Sequence, residues 1–262
     1  MDPTQIHRAA QILWDAWQEG RQIEDLPDAC RPRTLEEGYG IQAALAAYAD
    51  QPVSGWKIAA TSKAGQDHIG VDGPISGRLL ADKIRESPAI LPIGTNGMRV
   101  VEVEFAFRLA RDLPPRSHDY SVDEVMSEVA SLHPAIEIPD SRFMDFSRVG
   151  APQLVADNAC ACLFVLGRET ESNWWDMDLA AHPVSLLLNG ALAAEGCGAN
   201  VLGDPRIALT WLANHLAARG EGLKAGQIVT TGTCIRPTRI APGDHVVGDF
   251  GLFGIVEARF ID

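Results

Sequence analysis

The sequence predicts an α+β protein in which a small helical region precedes a large mixed or antiparallel β body. Three observations carry this. Helical periodicity dominates the stretch before residue 52 and returns only in short pieces afterwards. Short apolar runs bounded by Gly, Pro, Asn and Asp fill most of the remainder. Strands and helices do not alternate regularly, which counts against a doubly wound parallel sheet. The division is therefore set at residues 1–52, helical, and 53–262, the β body.

Each element has its own local reason. Asp2 and Pro3 open a first helix, in which Ile6, Ala10, Leu13 and Trp17 recur at helical spacing until Gly20. A Pro-rich connector covers 27–33. Thr34 with Glu37 forms a capping box that starts a second helix running toward residue 49. Residues 54–60 suit a strand, and Ser62 caps a short helix ending near Ile69. Residues 70–78 are turn-rich, and 79–93 are mixed. The cleanest alternation follows: Val101, Val103, Phe105 and Phe107 on one face, Glu102, Glu104 and Ala106 on the other. Ser121 with Glu124 caps another short helix. Residues 135–138 and 159–166 are apolar strand candidates, and Asn189-Gly190 marks a tight hairpin. Asp204-Pro205 opens a helix with Leu209, Leu212 and Leu216 on its apolar stripe, closed by Gly220. Strands at 228–231, 245–250 and 255–261 complete the chain, with a Pro242-Gly243-Asp244 turn between the first two.

Composition narrows the function. The chain has 262 residues, 46% hydrophobic and 22% charged, as in ordinary globular proteins. Lys and Arg total 22 against 35 Asp and Glu, a net charge of −13. Such a chain is a poor partner for nucleic acid or an anionic membrane, and an anionic ligand needs a local device to capture it. No apolar run approaches the ~20 residues of a membrane span. The acidic start does not resemble a secretory signal. Five cysteines without CxxC spacing argue for reduced thiols rather than disulfides or a zinc site. A cytoplasmic protein is expected. GxSxG, P-loop and strand-linked GxGxxG motifs are absent. His133, beside Pro134, fits a satisfied core histidine better than a general base.

The acids are the most informative residues. Glu102 and Glu104 leave the same face of one strand, about 7 Å apart at Cα. Glu137 is a third carboxylate inside the apolar run Ala135-Ile136-Glu137-Ile138. Three acids on adjacent strands repel strongly unless a hard divalent cation neutralises them. Alternating glutamates also describe a half-exposed strand, and pattern alone favours that reading for Glu102 and Glu104. Lys57, in Gly55-Trp56-Lys57-Ile58-Ala59-Ala60, is one cation inside an apolar strand. Burial would lower its pKa and make it a proton carrier. An edge-strand lysine that snorkels to water is the commoner case in isolation.

Taken together these residues resemble a known family. Gly55-Trp56-Lys57-Ile58, Thr61-Ser62-Lys63-Ala64 and Gly70-Val71-Asp72-Gly73-Pro74 are similar to the N-terminal signature of the hydratase/decarboxylase branch of the fumarylacetoacetate hydrolase superfamily. That branch holds the 2-oxopent-4-enoate hydratases and 2-oxo-3-hexenedioate (4-oxalocrotonate) decarboxylases of aromatic catabolism. The likeness continues, in order, through Glu102-Val103-Glu104, Pro134-Ala135-Ile136-Glu137-Ile138-Pro139-Asp140-Ser141-Arg142, Val155-Ala156-Asp157-Asn158-Ala159, Leu202-Gly203-Asp204-Pro205, Trp211-Leu212-Ala213-Asn214, Lys224-Ala225-Gly226 and Pro242-Gly243-Asp244. It spans nearly the whole chain.

The resemblance implies a mixed β-roll and one Mg²⁺ or Mn²⁺ on Glu102, Glu104 and Glu137. It also implies a short 2-oxo acid as substrate, turned over through a metal-stabilised enolate, with Lys57 transferring a proton or stabilising that enolate. It further implies a homo-oligomer. Asp140 and Arg142 are expected to form an ion pair or turn lock behind Glu137, and Asp157 and Asn158 to shape the pocket or cap backbone groups.

Departures from the family mark the substrate-binding candidates. Ile75 stands where hydratases carry an acid, and with Phe143 and Phe146 it is similar to the decarboxylase pattern. Cys160, with Ala161 after it, replaces a pair of hydroxyl residues. Ile235 replaces a threonine. These changes imply a more apolar pocket, with Arg78 and Arg236 as candidate partners for a distal substrate carboxylate, although each fits a surface arginine better than a ligand. Two alternatives stand beside the lyase: a hydrolase cleaving the C–C bond of a β-diketone or acylpyruvate, and a non-catalytic binding protein for 2-oxo acids.

Overall fold

The computed structural model describes residues 1–262. Helix α1 (Pro3–Glu19) carries the capping box Asp2/Gln5 and ends at Gly20, which adopts φ 61°. Helix α2 (Leu35–Ala46) starts where Thr34 accepts the Glu37 amide, but the reciprocal arm of the expected box is missing. The Glu37 carboxylate instead accepts from the Arg33 amide and pairs with the terminal amine of Met1 at 2.7 Å. The helix also stops at Ala46, short of the expected residue 49.

The body is built from two sheets of mixed direction. The strands of the first are β1 (Val53–Ala59), β2 (Ile75–Leu80), β3 (Ile84–Glu86), β5 (Val100–Leu109), β6 (Val129–Ile138), β7 (Leu163–Leu166), β10 (Ile228–Thr233) and β11 (Thr238–Arg239). Their order is β2-β1-β10-β5-β6-β7-β3, with β11 pairing to β5. The second sheet runs β4-β13-β12-β8-β9, made of β4 (Ala89–Pro92), β8 (Pro183–Leu188), β9 (Ala191–Cys197), β12 (His245–Asp249) and β13 (Ile255–Ile261). Asn189 (φ 53°) and Gly190 (φ 82°) make the β8–β9 turn, as the Asn-Gly signal predicts.

Periodicity decides which face each residue takes. Val101, Val103, Phe105 and Phe107 of β5, Ile136 and Ile138 of β6, and Trp56 and Ile58 of β1 point between the sheets. There they meet Leu186, Val246, Val256 and Phe260 of the second sheet. Leu209, Leu212 and Leu216 of helix α6 (Pro205–Ala218) close this main core. The other face of the first sheet holds Lys57, Glu102, Glu104 and Glu137, with Ala106, Ala135 and Phe164 as its apolar floor. Helix α5 (Ala151–Ala156) and the segment after it pack at the β1–β2 end of this face. Helices α1 and α2 form a smaller core of their own, which takes in Phe143 and Ala156 from the body.

Three expectations are corrected. Residues 75–78 are not turn but the start of β2, antiparallel to β1 with Gly77 opposite Lys57. The apolar run at 159–166 is strand only from Leu163, because Asn158, Ala159 and Cys160 all adopt positive φ (55°, 50° and 62°). The expected 135–138 strand is the end of a longer one that begins at Val129 and carries Pro134 inside it. No helix is long and apolar enough to cross a membrane.

Candidate metal centre

Register brings the three glutamates together. Strands β5 and β6 are antiparallel with Glu102 directly opposite Glu137, and Glu104 follows one pleat along the same face. Each offers a carboxylate oxygen, and the three oxygens lie within 4.8 Å of one another. Glu104 and Glu137 are sealed from solvent at 0% and 1% exposure, while Glu102 is partly exposed. The half-exposed-strand reading therefore fails at Glu104, which is buried, and holds only in part at Glu102.

The neighbours of the trio leave oxygens free. One oxygen of Glu104 accepts from the Thr230 hydroxyl and from the Gly232 amide at 2.8 Å. A register shift between Thr230 and Thr233 on β10, with Gly232 at φ 107°, turns that amide inward. The second oxygen of Glu104 and both oxygens of Glu137 accept no hydrogen bond, although all are buried, and only one of the three, on Glu137, has an ion-pair partner. Two like charges about 5 Å apart in such surroundings repel by about 3 kcal/mol. Burial and the Glu137 charge push Glu102 up to about 7 against the pull of Lys57. Burial, then Glu137 and Glu102, push Glu104 well above the usual range. A trio of close carboxylates, with Glu102 and Glu104 both raised and buried oxygens that accept no hydrogen bond, is what a hard oxygen-seeking cation relieves, and the donor set suits one.

Lys57 sits beside this trio, 3% exposed, and does not snorkel to water. Its Nζ lies 2.9 Å from an oxygen of Glu137 and donates to the Ala159 carbonyl at 3.0 Å. The expected lowering of its pKa is overturned. Burial acts downward, but Glu137 and Glu102 together outweigh it and hold the ammonium above its usual range. Lys57 is thus a retained positive charge.

The substrate-binding candidates divide. Ile75 and Cys160 pack in one apolar cluster with Ala159, whose carbonyl holds Lys57, and Phe146 rests against that cluster. Burial, then the Asp157 charge, push the Cys160 thiol up to about 12, so it remains protonated. Ile235 lies apart in the main core, immediately after the Cys234 amide that bonds the Val103 carbonyl. Phe143 is also remote, in the core of the helical region.

Arg78 lies on the opposite face of β2 from Gly77. Its guanidinium sits 4.4 Å from the Trp56 ring centre and pairs with Glu221 at 2.7 Å, while Arg236 is exposed. His133 is buried, held by Ser131 at 2.8 Å and the Gly167 carbonyl at 2.9 Å, as a satisfied core histidine should be.

The turn lock behind Glu137 has a different partner from the one expected. Arg142 pairs with Asp157, not with the Asp140 carboxylate, which accepts the Gly97 and Met98 amides at 2.9 and 3.3 Å. Asn158 caps backbone as expected, bonding both the amide and the carbonyl of Arg78. Sequence reasoning missed Thr230 and Gly232 as supports of Glu104, although the Thr230-Thr231-Gly232-Thr233 strand end was a visible irregularity. It also missed Gly77, where a Cβ would overlap the Asn158 carbonyl oxygen and crowd Lys57 at 3.1 Å.

Known proteins resemble this chain over its whole length. Residues 77–261 match the family model described as fumarylacetoacetate (FAA) hydrolase C-terminal. The chain is 35% identical over 265 residues to a 2-keto-4-pentenoate hydratase of Burkholderia vietnamiensis, covering 100% of this chain and 99% of that one. It is 32% identical over 263 residues to a 2-keto-4-pentenoate hydratase of Paraburkholderia xenovorans, covering 99% and 96%. Among solved structures, 4-oxalocrotonate decarboxylase from Pseudomonas putida complexed with magnesium and adipate superposes with a TM-score of 0.91 at 26% identity, over 100% and 99% of the two chains. Fold, acidic trio and full-length similarity lead to one conclusion: the chain belongs to the fumarylacetoacetate hydrolase family.

Proposed function

We propose that the protein is a divalent-metal-dependent lyase acting on a short 2-oxo acid in aromatic-compound catabolism. The single observation that carries the proposal is the set of buried oxygens on Glu104 and Glu137 that accept no hydrogen bond, with Glu102 alongside and a charged Lys57 paired to one oxygen of Glu137. Glu102, Glu104 and Glu137 would hold Mg²⁺ or Mn²⁺, which when bound supplies Lewis-acid polarisation of the 2-oxo group and reverses the local field for an anionic substrate. Lys57 keeps a positive charge where negative charge develops on the substrate and is placed to pass a proton. Ile75 and Cys160 form an apolar wall beside it.

Two reactions use this arrangement. Addition of water to a conjugated double bond is favoured by the hydratase relatives, at 35% and 32% identity. Loss of CO₂ is favoured by Ile75, by Phe146 against the same cluster, and by the 4-oxalocrotonate decarboxylase likeness. The C–C hydrolase reading lacks a base: His133 is spent on Ser131 and Gly167. Incubation with 2-hydroxypentadienoate and with 2-oxo-3-hexenedioate, following dienol absorbance and CO₂, separates hydration from decarboxylation. Glu104→Gln should abolish Mg²⁺ binding by calorimetry and turnover of both compounds while leaving the circular dichroism spectrum intact. Full Mg²⁺-dependent activity in that variant would refute the assigned site.

A further inference from the structure

The proposed reaction needs Lys57 held in place, and one of its contacts cannot be permanent. Its partner Glu137 is also a candidate metal ligand, so the lasting anchor is the neutral one, the Ala159 carbonyl at 3.0 Å. That carbonyl faces Lys57 because Asn158, Ala159 and Cys160 are all left-handed, although none is glycine. Left-handed backbone is unfavourable for each such residue, and a run of them persists only when its surroundings over-determine it.

Those surroundings are fully buried. Asp157 accepts from the Ser141 hydroxyl at 2.7 Å, the Arg142 amide at 3.0 Å and the Arg142 guanidinium. The same guanidinium donates to the Asp157 carbonyl before the turn and to the Ala161 carbonyl after it, at 3.1 Å. One planar fork therefore grips both ends of the left-handed segment. Its middle is held by the Asp140 amide on the Cys160 carbonyl at 2.9 Å and by Asn158 on Arg78. Behind the fork lies Trp17 of α1, 4.5 Å from the guanidinium carbon, and the Arg142 carbonyl accepts the Ile23 amide.

We infer that Arg142 and Asp157 are positioning residues for Lys57, acting through the left-handed turn to fix the Ala159 carbonyl that anchors the ammonium. The inference rests on the role proposed for Lys57, and it gives the helical region a part in the site: α1 backs the fork.

The test is Arg142→Lys, which keeps the charge opposite Asp157 but cannot span both ends of the turn. In the intact protein, Lys57 should resist an amine-acylating reagent relative to Lys63, whose side chain is 78% exposed. In Arg142→Lys its labelling, read by mass spectrometry, should rise about tenfold as the turn opens locally. Turnover should fall about 100-fold with KM and Mg²⁺ affinity little changed, since misplacement of one group damages the chemical step while the glutamates stay put. A general structural loss would instead move Mg²⁺ affinity and KM together. Unchanged Lys57 labelling overturns the inference whatever the activity. Raised labelling with full turnover upholds the positioning and refutes the catalytic role of Lys57. Should Arg142→Lys fail to fold, Ser141→Ala removes one donor to Asp157 and must shift the same readouts in the same direction.

Discussion

Two buried clusters of charge stand near each other and are built to opposite rules. Around Asp157 every charged group is answered: two side chains and a backbone amide serve the carboxylate, and the guanidinium has its carbonyls. Around Glu137 three acids face one lysine, which pairs with a single Glu137 oxygen, and two further buried oxygens, one on Glu104 and one on Glu137, have no partner. The first cluster is complete as it stands and holds a backbone shape. The second is incomplete by design, and that deficit is its capacity to take up a cation. Satisfaction, not burial or charge, separates scaffold from site here.

Breaking the complete cluster should cost most. Asp157→Asn leaves Arg142 buried without its counter-charge and should destabilise the fold by about 3–5 kcal/mol in urea titrations. A loss below 1 kcal/mol would remove the distinction between the clusters. The incomplete cluster should respond the other way. Glu102→Gln relieves repulsion, so the metal-free melting temperature should hold or rise, while Mg²⁺-dependent turnover falls by at least about 100-fold. His133→Phe orphans the Ser131 hydroxyl and the Gly167 carbonyl. It should cost about 1–3 kcal/mol with turnover per folded molecule unchanged; a collapse of turnover would restore His133 as a base.

The smallest effect is the pH response. The folded pKa of Glu102, about 7, lies above its usual value of 4.5. Its contribution is therefore fully present below about 4.5 and is lost as pH rises to about 7. In chelator, the melting temperature of the unaltered protein should decline across that window more than that of Glu102→Gln. Identical profiles would show that the acids do not interact as described.

Much of this was legible in the residues. The β5 alternation sets the glutamates on one face because a two-residue period survives any packing, and Asn189-Gly190 carries its own turn chemistry. Glu137 betrays itself as a charge in an apolar run. What stayed hidden depends on partners distant in the chain. Ile75-Ser76-Gly77-Arg78 reads as turn because Gly77 is required by the Asn158 carbonyl, far along the sequence. The left-handed turn at 158–160 is invisible because its cause is Arg142. The Lys57 pKa goes the wrong way from sequence because desolvation can be inferred from an apolar neighbourhood, whereas the opposing field of Glu137 and Glu102 requires register.

The irregularity at Thr231–Gly232 has a bearing on how this protein can be altered. The donor it turns toward Glu104 belongs to the main chain, so among single exchanges at Gly232 only proline deletes it outright. A change in the number of residues removes it as well: excising one there would make the strand end regular, swing the amide to the opposite side, and strand Glu104 with the Thr230 hydroxyl alone. Side chains are excluded there for a separate reason, since a Cβ on Gly232 at φ 107° would overlap the Thr61 hydroxyl oxygen, so the spot tolerates neither indels nor replacement of the glycine.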